Sequence, residues 1–228
     1  MPTRKISFVP DEYYHLYNRG TLKRLIFLDD RDYARFIFLL IYFQTDNSRS
    51  KEGDNLSRRA SLFVRNRMSD IVPEEVMEIS RNRIVELVAF CLMPNHFHLI
   101  IKEAKEGGIS HYMQRILNSY TKYFNTKYQL SGHLFQGPFK SVHISDNNQL
   151  LHLSAYIHRN PRELKDWRGS ESEYRWSSYQ DYVKSNRWDT LLVREIILGQ
   201  FKNGEDYHKF LGSSSAKSLE EEHLDADL

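Results

Sequence analysis

Two histidines one residue apart, His96 and His98, sit in the run Met93-Pro94-Asn95-His96-Phe97-His98-Leu99-Ile100-Ile101. In a strand, side chains two apart share a face, so both imidazoles project to one side while Phe97, Leu99 and Ile101 take the other. Two imidazoles on one strand can grip a divalent metal ion. They can equally be two surface or hydrogen-bonded histidines, and metal chemistry also needs a third ligand and a reactive group. The run Ser154-Ala155-Tyr156-Ile157-His158-Arg159-Asn160-Pro161 offers both. Positions i and i+4 are neighbours on a helix, so the phenol of Tyr156, as nucleophile, and the amide oxygen of Asn160, as a hard ligand, can look toward one place. Read as packing alone, Tyr156 is an amphipathic packer and Asn160 a helix C-cap before proline. Arg159 and Arg162 add positive charge nearby.

These groups need elements that bring them together. Tyr13 to Asn18 is aromatic and strand-like and ends at Arg19-Gly20. After Asp29 and Asp30, which suit a helix start, Tyr33, Phe36, Ile37, Leu40 and Ile41 form a helical apolar stripe. The chain then turns polar from Thr45 to Ser69, and Pro73 to Ile84 adds a helical piece, so positions 45–84 read as an insertion. Glu86 to Met93 and Phe97 to Lys102 are two strands joined at Pro94-Asn95, a hairpin. Ser110 is placed to cap a long helix with Met113, Ile116, Leu117, Tyr120 and Phe124 on one face. Phe139 to Ile144 reads as a fourth strand, and Gln149 to Asn160 as a helix stopped by Pro161. The order β-α-β-β-α-β-α predicts an α+β fold of the ferredoxin-like kind, an antiparallel sheet of about four strands with helices on one face. It occupies positions 1–180, and 181–228 form a mostly helical C-terminal extension with an acidic tail from Glu220 to Leu228.

Composition narrows the class. The 228 residues are 40% hydrophobic and carry 32 Lys and Arg against 30 Asp and Glu, a formal charge of +2, so a sizeable core is within reach. Apolar runs such as Phe36 to Phe43 fall well short of the roughly 18 to 20 residues that span a bilayer. The opening Met1-Pro2-Thr3-Arg4-Lys5 leads into no export signal, so the expected location is the cytoplasm. Cys91 is the single cysteine, which excludes an internal disulfide framework and a multi-cysteine zinc site. The small net charge hides patterning: from Ile109 to Arg168 eight basic residues stand against three acidic ones, a window that can face phosphate. Among the 14 tyrosines, Tyr120 belongs to the apolar stripe and Tyr123, off its centre, is the second choice of nucleophile. His133, His143 and His158 read as surface or structural histidines.

The segment from Val88 to Ile100 resembles the His-hydrophobic-His region of the single-tyrosine HUH transposases, and most of all the REP-associated tyrosine transposases of the IS200-like group. Other pieces match in order: Tyr14-His15-Leu16-Tyr17-Asn18-Arg19-Gly20, Tyr123-Phe124-Asn125, Gly132-His133-Leu134-Phe135-Gln136-Gly137, Tyr156-Ile157-His158-Arg159-Asn160-Pro161 and Trp176-Ser177-Ser178. The chain departs from the family pattern at Pro138-Phe139, where Arg-Phe is usual, and at Arg162-Glu163-Leu164-Lys165, where Val-Arg-Ala-Gly is common. The resemblance implies a metal-dependent DNA strand transferase acting on single-stranded or hairpin DNA. His96 and His98 would then be metal ligands, Asn160 a polar third ligand and Tyr156 the nucleophile of a 5′-phosphotyrosine intermediate. Mg²⁺ or Mn²⁺ suits such mixed nitrogen and oxygen ligation. Arg19, Lys122, Gln136, Lys140, Arg159 and Arg162 are the candidate DNA contacts, the chain would join the nucleoid when bound, and a homodimer is compatible with the family. The alternatives are a hairpin-binding relative that does not cut, and a metal-dependent hydrolase without a covalent intermediate.

Overall fold

The computed structural model describes residues 7–46, 56–65 and 73–214. Four strands, β1 (Tyr13–Arg19), β2 (Val85–Met93), β3 (His96–Glu103) and β4 (Lys140–Ile144), form one antiparallel sheet in the order β2-β3-β1-β4. This is the expected α+β class with a four-stranded antiparallel sheet, but the helices lie on both faces of the sheet rather than on one, because the histidine face is also covered, by the helix that carries Tyr156. The predicted hairpin closes on Pro94-Asn95, with Met93 paired to His96 and Cys91 to His98.

Helices α1 (Asp30–Tyr42) and α4 (Gly108–Tyr128) cover the face that carries Phe97. Phe36 of α1 lies 5.1 Å from the Phe97 ring and 5.0 Å from that of Tyr120, and the Tyr112 hydroxyl donates to the Leu40 carbonyl at 2.7 Å. The start of α1 is the expected one, with Asp29 and Asp32 forming a reciprocal capping box. Helix α5 (Asn147–Arg159) lies against the opposite face, and this puts the tyrosine and the histidines on the same side of the sheet. The polar insertion contains two helices, α2 (Leu56–Arg65) and α3 (Pro73–Arg81). Ala60 and Phe63 of α2 are buried, and the Phe63 ring packs 5.3 Å from that of Phe38 in α1, so a few apolar residues hold this helix despite its polar surroundings.

The start of α4 differs from expectation. Its first amides are satisfied by the buried carboxylate of Glu103, which accepts from Gly108 N at 3.1 Å and Ile109 N at 2.6 Å; Ser110 lies inside the first turn. Gly107 has φ 76°, and a Cβ on Gly108 would meet the Ile84 carbonyl at 2.1 Å, so two glycines allow the close turn that presents those amides to Glu103. Burial raises the Glu103 pKa, against the lowering pull of the amides it accepts from. Glu103→Ala removes this cap and is expected to lower stability by about 1–3 kcal/mol in urea unfolding, and a loss below about 0.5 kcal/mol would contradict the capping role.

Helix α5 starts at Asn147, two residues earlier than expected, and is capped by Asp146, whose side chain accepts from Gln149 N at 2.8 Å. Pro161 does not stop the chain from coiling. It sits at the start of a 3-10 turn over Asn160–Glu163, where the N–H that proline lacks has no partner to lose. The C-terminal extension holds three short helices, α6 (Tyr179–Val183), α7 (Glu195–Leu198) and α8 (Gly204–Ser213). Ahead of them Trp176 to Ser178 bond along the outer edge of β2, with Leu92 N to Trp176 O and Ser178 N to Phe90 O both at 2.9 Å, so that edge is covered. The acidic tail and the first six residues lie outside the described residues. Among the described residues no helix is long and apolar enough to cross a membrane.

Candidate functional site

Sheet register assembles most of the site. Pairing of β1 with β3 sets Arg19 opposite His96 and Tyr17 opposite His98, and pairing of β1 with β4 sets Tyr17 opposite Lys140. Opposed residues project to the same side of a sheet, so His96, His98, Tyr17, Arg19 and Lys140 share one face, with His15 two positions from Tyr17 on it. Arg19 is steered by Gln136, whose Oε1 accepts from Arg19 Nε at 2.7 Å while its backbone N donates to the Arg19 carbonyl at 2.8 Å. Two candidate DNA contacts thus meet at the end of β1.

Helix α5 supplies the groups above this face. The ring of Tyr156 stands 5.4 Å from that of His98, edge to face at 89°, and the His96 and His98 rings lie 5.1 Å apart at 86°. Asn160 Oδ1 is 3.5 Å from His96 Nε2. The predicted helical i, i+4 relation therefore holds in space: the tyrosine ring meets one histidine and the asparagine oxygen meets the other.

The hydrogen-bond roles around His96 define what this place can hold. Asn160 Nδ2 donates to the Tyr156 carbonyl at 3.0 Å and Asn95 Nδ2 to the Lys23 carbonyl at 3.3 Å, so both amide oxygens are turned toward the His96 ring. Asn95 Oδ1 is 2.7 Å from Nδ1, and Asn160 Oδ1 faces Nε2. A neutral imidazole has one N–H. The shorter contact takes it, which leaves the Nε2 lone pair opposed to the lone pairs of Asn160. Protonating His96 would relieve the conflict, but burial lowers its pKa to about 4 and favours the neutral ring, although the Asn160 contact pulls the other way. A divalent cation relieves it too, since two donors each roughly 2.1 Å from one ion can be up to about 4.2 Å apart. Among the described residues no group of three or more His, Cys, Asp and Glu is placed to hold a metal ion, so an ion here needs the amide oxygen of Asn160 beside His96 and His98.

His98 is 2% exposed and His15 3% exposed. His98 Nδ1 lies 2.9 Å from His15 Nε2. Burial lowers the His15 pKa to about 3, and burial with the neighbouring His96 and His15 holds His98 well below its usual value. All three rings are neutral near pH 7, the form in which imidazole ligates metals.

Other candidates are placed elsewhere. Lys122 is exposed on α4, the helix on the Phe97 face, and is not brought to the histidines. Tyr123, the second choice of nucleophile, donates its hydroxyl to Asp32 Oδ1 at 3.0 Å on that same face. Arg162 pairs with Glu171 at 2.6 Å and Arg159 donates to the Ser214 carbonyl, so both guanidinium groups brace the C-terminal region. His158 is structural, as expected: its ring nitrogens are 2.7 Å from the Tyr207 hydroxyl and 2.8 Å from Ser178 Oγ. Sequence reasoning missed His15, Tyr17 and Asn95 as members of the site. The signal available was parity along β1 and the hairpin position of Asn95; what was missing was the register.

Residues 56–160 match the model of the family Transposase IS200 like. No curated protein matches the chain. Among solved structures, that of a REP-associated tyrosine transposase bound to a REP hairpin aligns with 86% of this chain and 93% of its own, at 15% identity and a TM-score of 0.45. The family match runs from the start of α2 to Asn160 and holds His96, His98, Tyr156 and Asn160 together, so this stretch of the chain is similar to the IS200-like transposases.

Proposed function

We propose that this protein is a metal-dependent DNA strand transferase that cuts and rejoins single-stranded or hairpin DNA through a 5′-phosphotyrosine on Tyr156. The observation that carries the reading is the confrontation of His96 Nε2 with Asn160 Oδ1 at 3.5 Å on a helix whose Tyr156 packs on His98. The family match over the same residues supports it.

His96, His98 and Asn160 would hold Mg²⁺ or Mn²⁺, which when bound withdraws charge from a phosphate oxygen and so eases attack by an anionic nucleophile. The chain's own groups do the rest. The Tyr156 oxygen, losing its proton to water, attacks phosphorus; the bond to the 3′-oxygen breaks, and that oxygen leaves as a hydroxyl once protonated. The phosphoester is conserved, so a second 3′-hydroxyl can attack the phosphotyrosine, rejoin the strand and return the phenol without a nucleotide cofactor. Arg19, aimed by Gln136, and Lys140 lie on the face where the strand must run, and they hold its phosphates.

The test is incubation of a hairpin-bearing single-stranded oligonucleotide with protein and Mn²⁺. A protein–DNA adduct that survives denaturant is expected, and its loss on chelation. Cleavage with no adduct points to a hydrolase, and tight binding with neither cleavage nor adduct points to a non-cutting hairpin binder; either overturns the proposal.

The placement of the basic residues makes a separate prediction. Each phosphate contact on a single strand contributes about 0.7 to the slope of log affinity against log salt. Arg19→Ala and Lys140→Ala are each expected to lower the slope by about that amount, and Lys122→Ala to leave it unchanged, as read by fluorescence anisotropy between low and moderate salt. A Lys122 effect equal to that of Arg19 would mean that DNA lies on the other face of the sheet.

A further inference from the structure

Resting on the metal-site reading above, we propose that His15 is a positioning residue, the hydrogen-bond acceptor that fixes His98 in the Nδ1–H tautomer and turns its Nε2 lone pair toward the ion. The geometry leaves little freedom. A ring nitrogen lies about 1.1 Å from the centre of an imidazole, so two rings whose nitrogens are in hydrogen-bond contact can have their centres no farther apart than that contact plus the two radii. The nitrogens are 2.9 Å apart and the centroids 5.1 Å, close to that limit, with only 17° between the planes. The two nitrogens therefore point at each other nearly along the line of centres, which is hydrogen-bond geometry; rings stacked face to face would have closer centres.

Such a contact needs one donor and one acceptor, and two arrangements satisfy it. If His15 donates, His98 carries its proton on Nε2 and has no lone pair there for a metal. If His98 donates from Nδ1, its Nε2 lone pair is free to coordinate and His15 carries its own proton on Nδ1. Only the second is compatible with ligation by His98 through Nε2. Metal-bound histidines are commonly oriented through their other ring nitrogen by a carboxylate or a carbonyl, and here a second buried imidazole takes that place. Tyr17 confines the pair: its ring lies 4.9 Å from that of His15 and 5.9 Å from that of His98, at 28° and 26°. His96 is oriented in the same sense by Asn95, so each ligating histidine has one partner on its Nδ1.

The experiment compares the full chain with His15→Phe, which keeps a flat ring but cannot accept, and His15→Gln, whose amide oxygen can. Mn²⁺ affinity is measured by the electron paramagnetic resonance signal of the free ion. The His98 tautomer is read without metal by long-range ¹⁵N–¹H correlation on histidine-labelled protein. Expected are an Nδ1–H tautomer at His98 in the unaltered chain, a 10- to 100-fold loss of Mn²⁺ affinity with loss of that tautomer in His15→Phe, and substantial recovery of both in His15→Gln. An Nε2–H tautomer in the unaltered chain overturns the proposal, as does a folded His15→Phe that binds Mn²⁺ with unchanged affinity. If His15→Phe does not fold, His15→Gln decides: it must retain the Nδ1–H tautomer. Failure of the unaltered chain to bind Mn²⁺ while the Nδ1–H tautomer is present sinks the metal reading and, with it, the role assigned to His15.

Discussion

Tyr156→Phe is expected to abolish the denaturant-resistant DNA adduct, a loss of at least about 10³-fold, because the substitution deletes the oxygen proposed to bond to phosphorus. It keeps the ring that packs edge to face on His98 at 5.4 Å, so folding, Mn²⁺ affinity and DNA affinity should stay within about threefold of the unaltered chain. Tyr123→Phe is the matched control. Its hydroxyl donates to Asp32 on the far face of the sheet, and its loss should weaken that buried cluster without touching adduct formation. The assay is denaturing electrophoresis of a 5′-labelled and a 3′-labelled hairpin oligonucleotide with Mn²⁺, since only the fragment downstream of the cut stays on the protein. An adduct that persists in Tyr156→Phe and disappears in Tyr123→Phe would move the nucleophile to α4 and refute the site.

The second large effect is acid sensitivity. Four buried histidines are held neutral by desolvation: His15 and His158 to about 3, His96 to about 4, and His98 well below its usual value. Their surroundings are other imidazoles, amides and hydroxyls: Asn95 and Asn160 around His96, with Arg19 adding unfavourable charge, and Tyr207 and Ser178 around His158. In the unfolded chain each titrates near 6.5. Below that pH the unfolded state binds more protons than the folded one, so stability is full above about 6.5 and falls as pH drops toward the folded values. Each group costs about 1.4 kcal/mol per pH unit in that window, so four of them together remove on the order of 5 kcal/mol between pH 7.5 and 5.5, comparable with the whole stability of many domains. Raised Glu103 acts in the opposite sense, but as a carboxyl it titrates mainly at the acid end of the window. Urea midpoints at pH 7.5, 6.5 and 5.5, taken with chelator so that metal release does not contribute, should fall steeply. A flat profile would mean that these imidazoles are solvated and charged in the folded chain.

The local geometry of the candidate groups was largely legible in the residues themselves. Alternation in the strand put His96 and His98 on one side, and the four-residue helical interval put Tyr156 and Asn160 on one face; both hold. The hairpin at Pro94-Asn95 and the cap at Asp29 were readable because they depend on neighbours in sequence. Glu103 as the cap of α4 was not, because its carboxylate reaches the helix only through a turn made by two glycines. Helix α2 was hidden because its few buried residues act through contact with α1 rather than through a strong pattern of their own.

What the sequence by itself determined was the pairwise spacing of His96 with His98 and of Tyr156 with Asn160, because strand and helix periodicity is a property of the local backbone. What only the tertiary structure decided was which groups are joined across distance. Strand register chose His15 over other histidines as the neighbour of His98. The placement of α5 against the face opposite α1 and α4 put Tyr156, not Tyr123, beside the histidines, and a salt bridge drew Arg162 toward Glu171. Those choices follow from burying one continuous core beneath the sheet, a balance struck over the whole chain that no short stretch of sequence contains.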